Sequence, residues 1–279
     1  MTAILGGVGA ALCWAGATLC SSRSSREIGA PSVLAWVMLV GFVAVIPFAV
    51  AAGAPPQGTA LGWFVVLGLA NVVGLLLEYT GLRRGKVGVV VAITSTEGAV
   101  AAILAAIFGE AVPAATAVLL AVIAAGVVLA ALEPGAPAPS RETKSAIPLA
   151  IGAAVSFGIG LYAAGRVSGE FPLAWVVIPA RVFGVALLVV PLAATRRLRI
   201  TRSTVPLVVF SGLLEVVGFV SFVLGARHGI AITSVLGSQF AALSAFGAFV
   251  LFGERLHRVQ IAGIVAILVG VSSLALLRA

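Results

Sequence analysis

Ten apolar runs of about twenty residues each, joined by short connections, leave this chain few ways to fold. They fall at roughly residues 3–20, 32–52, 61–82, 87–108, 112–132, 146–165, 172–193, 204–225, 229–252 and 257–277. A helix needs ~20 residues to cross a hydrocarbon core about 30 Å thick. Strand alternation is absent, and the runs are about twice as long as barrel strands. The pattern therefore predicts an all-α, polytopic membrane protein of ten transmembrane helices. Charged residues make up only 9% of the chain, against roughly a quarter in a soluble domain, so most of the exterior must face something other than water. The 33 glycines suit helices in lipid, where close contact replaces the hydrophobic effect.

The net charge of +8 would favour nucleic acid on a soluble chain. Here the basic residues sit mostly in connections between apolar runs, so the expected partners are membrane lipids and no nucleic acid. The first run lacks a basic flank before it and is followed by many similar runs, which makes it a span and not a cleaved signal. Cys13 and Cys20 share one apolar stretch and read as small core residues. With two Cys and two His there is no zinc-ligand spacing. A GxxxxGK[ST] phosphate cradle and a GxSxG elbow are also absent, so the sequence points to no enzyme, no metal and no cofactor.

The longest connection runs from Glu133 to Lys144 and carries Pro134, Pro137 and Pro139. Its prolines cannot continue a helix and its charges do not belong in lipid, so it divides the chain: residues 1–134, a linker at 135–145, and residues 146–279. Writing the second part under the first with a shift of 144 residues aligns Gly68-Leu69 with Gly212-Leu213 and Val72-Val73-Gly74 with Val216-Val217-Gly218. The same shift aligns Gly81, Arg83 and Gly85 with Gly225, Arg227 and Gly229, and Phe108-Gly109-Glu110 with Phe252-Gly253-Glu254. Apolar helices match by chance in Leu, Val and Ala, seldom in Gly, Arg and Glu. Two related halves of five spans each enter the membrane from opposite sides, an inverted repeat of the kind from which alternating access arises.

Polar residues inside the runs are few and therefore informative. Glu97, in Thr94-Ser95-Thr96-Glu97-Gly98, is either a proton-coupling or cation-recognising acid or a neutral carboxyl bonded within the bundle. Asn71, Gly74 and Glu78 recur at helical spacing on one face of the third run, and the repeat sets Asn71 over Glu215. Glu78 lies nearer a helix end and could instead reach headgroups. Arg181 follows Pro179, which is expected to kink that span, and it either binds an anionic substrate group or neutralises Glu215 or Glu97. Ser238 and Gln239 occupy the ninth run where the repeat places Thr94 and Ser95. Trp14 lies deep in its span among small neighbours and is expected in the cavity; Trp36, Tyr79, Tyr162 and Trp175 line a pocket or mark the interfacial belt. Glu110 and Glu254 end equivalent spans and are expected to cap the helices that follow them.

Ala11-Leu12-Cys13-Trp14-Ala15-Gly16, the paired endings Phe108-Gly109-Glu110 and Leu251-Phe252-Gly253-Glu254-Arg255-Leu256, and Ser234-Val235-Leu236-Gly237-Ser238-Gln239-Phe240 together resemble the drug/metabolite transporter superfamily, in particular its EamA-like ten-helix permeases. The resemblance covers nearly the whole chain. It implies two EamA-like five-helix repeats in the cell membrane that export or import small metabolites such as amino acids, with export the expected direction and coupling to protons open. Val40-Gly41-Phe42-Val43 stands where that family often has an arginine, and Arg181 fills the comparable place in the second half. The rival reading is a non-transporting scaffold or lipid-handling protein.

The residues expected to bind substrate or couple it to protons are Trp14, Asn71, Glu78, Glu97, Arg181, Glu215 and Gln239. Ten spans enclose a complete two-half site, so a monomer is expected and a homodimer is left open. Orientation stays open too. Arg23, Arg83, Arg196 and Arg258 fall on one side with most other basic residues, while the side of both termini receives only Arg166, Arg227 and Arg278. The positive-inside rule puts the first set in the cytoplasm, whereas the family resemblance puts both termini there.

Overall fold

A computed structural model describes residues 1–53, 58, 60–85, 87–131, 141–244 and 258–277, and among them every regular element is a helix. Six helices are long and apolar enough to cross a membrane. These are α1 (Thr2–Ile28), α2 (Ala30–Ala51), α3 (Ala60–Arg84), α7 (which spans Ser145–Ser168), α8 (Leu173–Ala194) and α9 (Val205–Ala226). The remaining runs are helical as well: α4 (Val87–Thr94), α5 (Glu97–Ile107), α6 (Ala114–Ala131), α10 (Ile230–Gly237) and α11 (Arg258–Leu277). The Phe252-Gly253-Glu254-Arg255 ending, most of the proline-rich linker and Ala54-Pro55-Pro56 lie outside the described residues.

Local sequence explains most of the boundaries. Gly29 ends α1 with φ +88°, a conformation that costs glycine little, and α2 starts at once with a proline in its first turn, where a missing N–H is harmless. Helix α1 outruns its apolar stretch because Ser21, Ser22, Ser24 and Ser25 are all buried against neighbours. Helix α7 begins at Arg141, inside the expected linker. The α-helix of α8 runs through Pro179, and its irregular π turn falls later, at Val185–Val189, just before Pro191. Proline has no N–H to donate into the preceding turn, so the hydrogen-bond pattern resets there.

Two runs that read as single spans are broken. The fourth stops after Thr94 and restarts at Glu97; the ninth stops after Gly237 and resumes helically at 240–244. Each break carries the same chemistry. The Thr96 hydroxyl donates to Ile93 O at 2.7 Å and the Ser238 hydroxyl donates to Val235 O at 2.8 Å. The Thr96 and Gln239 amides turn back to carbonyls three residues earlier, on Ile93 and Leu236. Hydroxyls that bond their own backbone compete with the helical ladder, which apolar counting alone does not register.

Packing pairs the two parts of the chain. Helix α1 lies along α9, α3 along α7, and α6 along α11. A Cβ on Gly74 would fall 2.5 Å from the Phe157 ring, and one on Gly218 would fall 2.8 Å from the Trp14 indole nitrogen. The glycines that the repeat aligns thus admit an aromatic ring from the first helix of the opposite part. Connections gather at two ends. At one end Arg26 donates to Leu82 O and Gly85 O, Trp36 donates to Arg199 O at 2.9 Å, and Thr201 and Ser203 donate to Glu27. At the other, Arg227 donates to Ser168 O and Phe171 O. Three of the basic connections counted on one side, at 21–29, 83–85 and 195–204, are therefore tied together through these bonds, and Trp36 belongs to that rim.

Candidate functional site

The two broken helices cross where Gly98 meets the ninth run. A Cβ at Gly98 would lie 2.5 Å from Ser234 O and 2.7 Å from the Ser238 hydroxyl oxygen, so only glycine allows the approach. Restarting at Glu97 puts this carboxyl in the first turn of α5, at the positive end of the helix dipole.

Next to that crossing lies a cavity of about 40 Å³ lined by residues from both parts of the chain. Its polar lining is Thr18, Asn71, Glu78, Glu97 and Glu215; its apolar walls include Trp14, Leu75, Phe157, Leu161, Phe219 and Phe240. Glu78, whose place near a helix end allowed it to reach headgroups, is instead 3% exposed and faces this cavity. Its Oε1 has no hydrogen-bond partner, and neither has Asn71 Oδ1. Both are acceptors held out of water, at a cost that a donor from a ligand or bound water would relieve.

Five of the seven residues singled out in the sequence, Trp14, Asn71, Glu78, Glu97 and Glu215, share this lining. Arg181 does not. It is fully buried, its Nη2 stands 3.9 Å from Glu215 Oε2, and its Nη1 donates to Met38 Sδ at 3.4 Å. In this conformation the guanidinium is a counter-ion behind the wall. Gln239 sits in the helix break beside the wall residue Phe240, 8% exposed, with Nε2 unpartnered. Tyr79 is buried beside the Ser21–Ser211 hydroxyl pair, outside the cavity.

Sequence reading missed Thr18 and the phenylalanine walls Phe157, Phe219 and Phe240. Thr18 had a signal, one helical turn beyond Trp14 on the same face. Phe157 had a weaker one, as the ring that fills the space left by Gly74. Phe219 and Phe240 look in the sequence like any other lipid-facing phenylalanine.

A second cavity, of about 420 Å³, opens at the end held by Arg227 and is lined by Phe108, Glu110, Tyr162, Arg166 and His228 among others. Glu110 was expected to cap the helix that follows it. Its carboxylate accepts instead from the Ile230 N–H at 3.1 Å and the Ala231 N–H at 3.3 Å, capping α10 across the molecule. Those amides are orphans at the start of α10, and Gly229, with φ +153°, aims them.

Comparison with known proteins agrees with this architecture. Residues 1–132 match the model of the EamA-like transporter family. No curated protein matches the chain. A solved structure titled only as the crystal structure of a protein shares the fold, with a TM-score of 0.78 and 19% identity, over 99% of this chain and 96% of that one.

Proposed function

We propose, from the match of residues 1–132 to the EamA-like transporter family of the drug/metabolite transporter superfamily, that the whole chain is a secondary transporter, an exporter of small metabolites such as amino acids or related compounds, driven by protons. The observation that carries this reading is the acid-lined cavity beside two broken helices. Discontinuous helices that present polar ends to a central site are a recurring device of alternating-access carriers. Carboxyls in the interior of a membrane protein are costly unless they take up a proton, pair, or meet a ligand, and each alternative is a step of a proton-coupled cycle.

The same reading takes the ten runs as ten spans in two inverted halves, 1–134 and 146–279. The exchanged packing of α1 on α9 and α3 on α7, the helix breaks near Ser95 and Ser238, and the Gly74–Phe157 and Gly218–Trp14 contacts support it. Both halves then contribute to one site, which favours a monomer in the plasma membrane. Glu97, where the helix restarts after the break, is the acid we assign to proton exchange, with Asn71, Trp14 and Gln239 shaping the pocket.

The test is uptake and efflux of a pooled metabolite and amino-acid mixture in sealed vesicles, read by mass spectrometry with and without an imposed proton gradient, beside Glu97→Gln protein of equal abundance. Solute-specific movement that follows the gradient and is lost in the variant is the expected result. Folded protein that moves no solute in either direction would falsify the reading and favour a scaffold.

A further inference from the structure

The cavity holds more acid than the protein balances. Glu78, Glu97 and Glu215 all line it, and among the described residues the cation that reaches them is Arg181, already turned to Glu215. Neither Glu78 nor Glu97 has an ion-pair partner among the described residues, and Glu78 Oε1 and Asn71 Oδ1 are buried acceptors without donors. Whatever fills this space must bring donors and positive charge. Dispersal of the acids matters as much as their number. Glu78 sits on α3 and Glu97 at the start of α5, and among the described residues no three His, Cys, Asp or Glu come together closely enough to hold a metal ion. The same cavity is walled by Trp14, Leu75, Phe157, Leu161, Phe219 and Phe240, which suit methylene groups and the face-on approach of an ammonium to a ring.

We propose that the substrate is an organic dication, two ammonium-type nitrogens joined by a short apolar chain, with one nitrogen on Glu78 and Asn71 and the other on Glu97. This rests on the transporter reading above and narrows it, because among the described residues the lining carries three acids and no cation, and Arg181, which stands 3.9 Å from Glu215, is not part of it. In the empty site Glu78 and Glu97 each hold a proton, since an unpaired buried carboxylate is costly. Binding of the dication displaces both, so one dication moves one way for two protons the other way. The exchange is electroneutral and follows a pH gradient, not a membrane potential. Glu215, Arg181, Tyr79 and Cys13 are the other titratable groups near the site, and Arg181 Nη2 stands 3.9 Å from Glu215 Oε2.

The full chain reconstituted in vesicles is offered 1,4-diaminobutane, 1-aminobutane and 4-aminobutanoate, with the pooled mixture in a parallel arm. Diamine accumulation that follows an imposed pH gradient, ignores a potassium diffusion potential, exceeds that of the monoamine at least tenfold, and falls to the monoamine level in Glu78→Gln is the expected result. Melting of Glu78→Gln at the wild-type temperature shows that the variant folds. Transport of the monoamine or the amino acid at the diamine rate, or diamine accumulation that tracks the potential, overturns the dication and leaves the transporter standing. Movement of nothing, diamine or pooled solute, from folded protein sinks both.

Discussion

Arg181 Nη2 lies 3.9 Å from Glu215 Oε2, with the two side chains 1% and 9% exposed. The pair joins α8 to α9, with Glu215 in the cavity lining and Arg181 outside it, and its burial decides what each half of it is worth. Removing one partner of a buried pair typically costs about 3–5 kcal/mol, because the other is left uncompensated, whereas replacing both with neutral groups is often nearly neutral. Arg181→Met is therefore expected to lower the melting temperature in detergent sharply, and Arg181→Met/Glu215→Gln to recover most of the loss. A double variant as unstable as the single would mean that the arginine is needed for packing, not for charge.

Glycine spacing in the broken helices gives a second expectation. A methyl at Gly98 meets a backbone carbonyl at 2.5 Å, an atom that cannot swing aside, whereas a methyl at Gly62 meets nothing within 4 Å. Gly98→Ala should cost about 1–3 kcal/mol by overpacking. Gly62→Ala, inside α3, should be neutral or gain a few tenths up to about 1 kcal/mol. Melting curves of the two variants side by side separate steric closeness from glycine's general weakness in helices.

Legibility followed length and polarity. Helical class and the polar face of α3 were readable because twenty apolar residues and an i, i+3, i+7 series of Asn71, Gly74 and Glu78 have one physical reading each. The breaks were not, since Thr96 and Ser238 bond their own backbone and leave the apolar pattern intact. Arg181 was recognised as exceptional, but the sequence left open whether it met a substrate or Glu215. That depends on which way one long side chain turns between two helices, which no spacing rule fixes.

The seam between α1 and α9 tests which forces join helices here. Ser21 and Ser211 share a hydrogen bond of 2.8 Å toward one end of it, and toward the other a Cβ on Gly6 would fall 2.6 Å from Gly225 Cα. Hydrogen bonds between membrane helices average about 0.6 kcal/mol, because the separated helices find other partners, while close contact through small residues is the main source of association. Ser211→Ala should therefore shift the melting temperature only slightly, and Gly6→Val by several times as much. Equal shifts would give the hydroxyl pair a larger share than this argument allows.

Glu110 ties the end of α5 to the start of α10, and the tie crosses between the two parts of the chain. Both carboxylate oxygens are engaged, at 3.1 Å by the Ile230 N–H and at 3.3 Å by the Ala231 N–H. The negative charge also sits at the positive end of the α10 dipole. Glu110→Ala leaves two helix-terminal amides without protein acceptors, a loss of about 1–2 kcal/mol by the usual worth of an N-cap, while Glu110→Gln keeps one acceptor oxygen and should lose roughly half. Hydrogen exchange of the Ile230 and Ala231 amides reads this directly. Exchange is expected to quicken in the order wild type, Gln, Ala, with the amides of α3 unchanged as an internal control. If α10 opens no faster in Glu110→Ala, then Gly229 and the turn before it hold the helix start, and the carboxylate is an accessory.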